Sequence, residues 1–97
     1  MKIKNFRLIQ VAINVALSVK FDYVCFTELY QFIGNSNNYK EIKRLEKELN
    51  FLAFRIIKNK NLFSKVVSSS CNGLESKSLD NLSIDLIEIE KCVLPLI

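Results

Sequence analysis

The candidate nucleophiles of this 97-residue chain are three cysteines, Cys25, Cys71 and Cys92, and the hydroxyls of the serine run Ser68, Ser69 and Ser70. Each needs a neighbouring base to work as a nucleophile, and the usual base is absent, because the chain has no histidine. That removes His-based triads, His general bases and His metal ligands together. The cysteines contain no C-x-x-C pair, so the close ligand spacing of a zinc site is missing. Wide spacing and an odd count read as reduced thiols in a cytosolic chain, with Cys25 a small hydrophobe in the apolar run Tyr23–Phe26. The expectation is a protein that is not an enzyme and takes no cofactor or metal.

The chemistry that remains is charge. Fourteen basic and ten acidic residues give a net charge of +4, and the isoelectric point lies near 9.1. The distribution is polar along the chain: residues 1–65 carry +7 and residues 66–97 carry −3. Lys40, Lys43, Arg44 and Lys47 lie opposite the apolar stripe Ile42, Leu45 and Leu49, which turns them to solvent. A basic body of this kind favours an anionic partner. The bland reading of the same helix is a solvated face diluted by Glu41, Glu46 and Glu48.

Length and composition bound the elements that position these charges. Ninety-seven residues, 49% hydrophobic with two glycines and one proline, suit a single domain over 1–97. Lys2, Lys4 and Arg7 followed by an apolar stretch from Leu8 to Val19 imitate a signal peptide. Arg7, Gln10, Asn14 and Ser18, however, form a narrow polar stripe at helical spacing. The expectation is therefore a deeply packed first helix over 1–20 in a cytoplasmic protein without a membrane partner. Phe21–Phe26 is aromatic and β-branched, which predicts a short strand. Thr27 then caps a short helix over Glu28–Ile33, ended by Gly34 in a left-handed conformation. After the turn Asn35-Ser36-Asn37, Asn38 and Glu41 have capping-box spacing for a third helix.

The end of the third helix admits two readings. Continued to Ile57, it gains Leu52, Ala53 and Ile56 on its apolar stripe but places Phe51 and Phe54 on or beside the basic face. Ended near Asn50, it avoids that conflict, and Phe51–Ile57 and Leu62–Val67 become a hairpin about the turn Lys58–Asn61. The hairpin is the favoured reading. Residues 68–97 then hold a polar stretch, a turn at Asn72-Gly73 and an acidic helix on Leu82, Leu86, Ile89 and Val93 that stops near Pro95.

On the segments Phe26–Gly34, Ile42–Leu49 and the candidate wing from Phe51, the stretch Tyr23–Val67 resembles a winged helix-turn-helix domain. The fold implied is α+β and mostly helical: a three-helix core with a small β-hairpin and a C-terminal helix. By that resemblance the helix after the turn reads duplex DNA, with Ser36, Asn37, Asn38 and Tyr39 at base edges and phosphates. Lys40, Lys43, Arg44 and Lys47 neutralise phosphates, Lys58 and Lys60 touch backbone or minor groove from the wing tip, and Lys2, Lys4 and Arg7 add an arm. The family also implies a homodimer, through the C-terminal helix. The leading expectation is thus a DNA-binding transcriptional regulator or accessory factor of a mobile element. The runner-up is a protein-binding inhibitor (an immunity protein, an antitoxin or a phage anti-defence factor) whose acidic tail engages one basic partner.

Overall fold

The computed structural model describes residues 3–70 and 76–97, with side chains over 7–68 and 79–97. Three helices account for the architecture: α1 (Ile3–Asn35), α2 (Tyr39–Ser70) and α3 (Ser76–Val93), followed by one 3-10 turn over Leu94–Leu96. No strand occurs among the described residues, so the α+β fold with its hairpin wing is replaced by an all-helical one. The turn at Asn72-Gly73 lies outside the described residues.

Heptad-spaced apolar positions explain the long helices. In α1, Ile9, Ala12, Ala16, Val19, Tyr23, Phe26 and Ile33 face the interior; in α2, Leu45, Leu49, Ala53, Ile56 and Phe63 do so. In α3 the stripe is Leu79, Leu82, Leu86, Ile89 and Val93, and all three helices feed one core. Alternating steps of three and four keep a seam against a neighbouring helix, as in coiled-coil packing. The C-terminal helix follows its sequence pattern, with Pro95 in the 3-10 turn that ends it.

Four local expectations fail for one reason: seam packing outweighs local propensity. Phe21–Phe26 is helical, because Val19, Asp22 and Phe26 all point inward at helical spacing. Thr27 does not cap a new helix; its hydroxyl donates to the Val24 carbonyl at 2.9 Å inside α1. Gly34 stays helical, with α1 ending one residue later at Asn35. Asn50 is an exposed residue within α2, and Phe51–Ile57, Lys58–Asn61 and Leu62–Val67 all continue that helix. No glycine or proline interrupts residues 35–72, so nothing in the chain opposes continuation.

The turn between α1 and α2 is three residues, Ser36–Asn38, and forces an antiparallel hairpin. Asn38 caps α2 as its spacing predicts: its Oδ1 accepts the Glu41 amide at 3.3 Å and its carbonyl accepts the Ile42 amide at 2.9 Å. The register is pinned by Asp22 of α1 and Arg55 of α2, whose bidentate pair spans 2.7 and 2.8 Å. α3 runs alongside α1 and against α2, tied by Lys20–Asp85 at 2.8 Å and Lys60–Glu90 at 3.5 Å. Near its end, Cys92 meets Tyr23 of α1. The molecule is accordingly a rod of 55 × 19 × 15 Å.

α1 is less deeply packed than the sequence suggests. Its polar stripe Arg7, Gln10, Asn14 and Ser18 is exposed as expected, but so are Val11, Leu17, Phe21, Val24 and Phe32. By length and composition α1 is also apolar enough within Arg7–Asn35 to cross a membrane, and 22% of an 18-residue apolar window there is buried. Asp22, buried in its pair with Arg55, anchors this helix to α2.

Candidate functional site

Continuation of α2 past Asn50 builds a surface that the hairpin would have split. At 100° per residue, Lys40, Lys43, Arg44, Lys47, Phe51, Phe54, Lys58, Asn61, Leu62 and Lys65 fall within about a third of the helix circumference. All of them are exposed. The acids of α2, Glu41, Glu46 and Glu48, lie outside that sector. From Lys40 to Lys58 the stripe runs about 27 Å along the axis. Lys40, Lys43, Arg44, Lys47 and Lys58 form no salt bridge among the described residues.

Two aromatic rings interrupt the cations. Phe51 is 61% exposed and Phe54 65% exposed, well beyond what a core aromatic shows. Phe51 is held from inside the fold. The Asp22 carboxylate orients the Arg55 guanidinium, which lies 5.6 Å from the Phe51 ring centre. The hydrogen bond from Arg55 to Asp22 also raises the guanidinium pKa above its ordinary value. Nearer the turn, Lys43 lies 5.2 Å from the centre of Tyr39. Beside Phe54 an open groove of about 690 Å³ is lined by Asn50, Ile57, Lys58 and Asn61 of α2 and by Ile97.

Two of the four residues expected at base edges serve the turn and the start of α2. Asn38 caps α2, and the Ser36 hydroxyl accepts the Asn38 amide at 3.3 Å within the turn. Asn37 and Tyr39 are exposed at the tip of the rod. Lys40, Lys43, Arg44, Lys47 and Lys58 come together on the stripe, whereas Lys60 turns inward to Glu90. Of the expected arm, Lys4 and Arg7 belong to α1 and Lys2 lies outside the described residues. Asn50, Phe51, Phe54, Arg55 and Asn61 were missed as site residues. Their signal was present in the continued-helix reading, as the two rings on the basic face.

Cys25, Cys92 and Ser68, the candidate nucleophiles whose side chains are described, stand apart from this surface. Cys92 is exposed and Cys25 half-buried, both free, and Cys71 lies outside the described residues. The Tyr23 phenol is pushed above its ordinary 10.0, first by hydrogen bonding to Cys92, then by burial and by the charge of that thiol. Ser68 donates its hydroxyl to the Ser64 carbonyl at 2.9 Å, a helix-internal bond. No group of three metal-ligating side chains occurs among the described residues. Compared with known proteins, the chain matches no family model, and neither the curated proteins nor the solved structures yield a match.

Proposed function

We propose that this chain is a non-catalytic nucleic-acid-binding protein, of the regulatory or accessory kind, that holds a phosphate backbone on the outer face of α2. The observation that carries the reading is the acid-free sector containing Lys40, Lys43, Arg44, Lys47 and Lys58, none of them in a salt bridge among the described residues. Cations whose charge is not used internally release counterions when they meet phosphates, which is the main source of sequence-independent affinity. The inhibitor reading draws less support. Among the described residues, three acids of its tail are already paired: Asp85 with Lys20, Glu90 with Lys60 and Glu88 with Lys91.

Fluorescence anisotropy with a labelled oligonucleotide tests the proposal. Five phosphate contacts predict a fall in affinity of about 100-fold or more between 50 and 200 mM salt. Lys43→Ala with Arg44→Ala lowers the log–log salt slope by about 1.4 to 1.8. Absence of binding at low salt, or an unchanged slope in that variant, defeats the proposal.

A further inference from the structure

Phosphate contacts alone leave Phe51 and Phe54 unexplained. Both rings sit inside the cationic sector, between Lys47 and Lys58, and both are mostly exposed. A duplex presents a wall of phosphates to such a face, with its base planes stacked out of reach, so the rings gain nothing from it. A single strand offers its base faces, and aromatic rings stack on any base irrespective of sequence. From these rings and the surrounding cations we infer that α2 is a platform for single-stranded nucleic acid, a reading that rests on the polyanion-binding function proposed above.

Three features fit that ligand together. Arg55 covers one side of Phe51 and is itself locked by Asp22, so the ring is ordered before a base arrives. Phe54 forms a wall of the open groove, where the Asn50 and Asn61 amides stand ready for base edges as both donors and acceptors. Lys47 and Lys58 bracket the rings along the axis, with Lys40, Lys43 and Arg44 continuing the cationic track toward the turn. An interfacial membrane helix segregates apolar and cationic residues to opposite faces; here they share one sector.

The test uses the full chain with a labelled twelve-residue oligothymidine and a labelled twelve-base-pair duplex at about 50 mM salt. At the 3.4 Å rise of a strand in a duplex, twelve nucleotides already exceed the length of the stripe. The single strand is expected to bind at least tenfold more tightly than the duplex. Phe51→Ala with Phe54→Ala is expected to weaken single-strand binding by about tenfold or more, with duplex binding changed less than twofold. Phe51→Tyr with Phe54→Tyr retains the rings and should retain the preference. Because both side chains are exposed, circular dichroism should show each variant folded. Equal or tighter duplex binding, or an unchanged single-strand affinity in the alanine variant, overturns the inference and leaves the phosphate-binding function standing. Binding to neither oligonucleotide, including a protein that binds anionic vesicles alone, overturns both.

Discussion

Asp22 and Arg55 show how one residue pair can serve the fold and the surface at once. Asp22 is 3% exposed while the Arg55 side chain is 45% exposed, so the two partners are unequal. Removing the arginine strands a carboxylate in the core, whereas removing the aspartate releases a guanidinium to water. Arg55→Ala is therefore expected to cost about 1–3 kcal/mol in urea unfolding, and Asp22→Ala less. The reverse order would mean that the pair is not the register lock described. Tyr23 gives a second residue-scale prediction. A phenol raised in the folded state stabilises the fold fully below its unfolded pKa of 10.0, and that contribution is lost as pH rises through the folded value. Tyr23 should ionise above the ordinary phenol value in an absorbance titration, and Cys92→Ala should bring it back toward that value.

At the scale of elements, each helix was legible to a different degree, for physical reasons. α3 carries a regular apolar stripe through Leu82, Leu86, Ile89 and Val93, with only Ile84 and Ile87 of its large apolar residues exposed outside it, so its helical pattern is plain. The start of α2 was equally plain, since an Asn three residues before Glu suits one role well and fills it. Its length was not, because a sequence reading treats exposed aromatics on a charged face as an error to be avoided. Here the seam through Leu49, Ala53, Ile56 and Phe63 overrides that objection, and the supposed error is the candidate site. α1 was broken in reading by its β-branched and aromatic run, which a long heptad seam tolerates. Gly34 tests this directly. It sits in helical backbone with open space around its Cα, so Gly34→Ala should stabilise the fold by about 0.5 kcal/mol in thermal or urea unfolding. Destabilisation would instead indicate the left-handed end that the sequence suggested.

The whole molecule is shaped by the ratio of helix length to chain length. Two helices of 33 and 32 residues in a 97-residue chain leave too little to wrap them, and the radius of gyration is 16.0 Å. A compact chain of this length would have about 12.5 Å. The rod gives α2 one long uninterrupted outer face, on which charges distant in sequence align; the same shape leaves Leu17, Phe21, Val24 and Phe32 exposed on α1. These two faces are the competing surfaces of the molecule, and backbone amide chemical-shift mapping with the oligothymidine ligand separates them. Perturbations are expected along Lys40, Lys43, Lys47, Phe51, Phe54 and Lys58, with the outer positions Ile84 and Ile87 of α3 silent. Perturbations centred on Leu17, Phe21 and Val24, with the α2 stripe unmoved, would rule out α2 as the binding face.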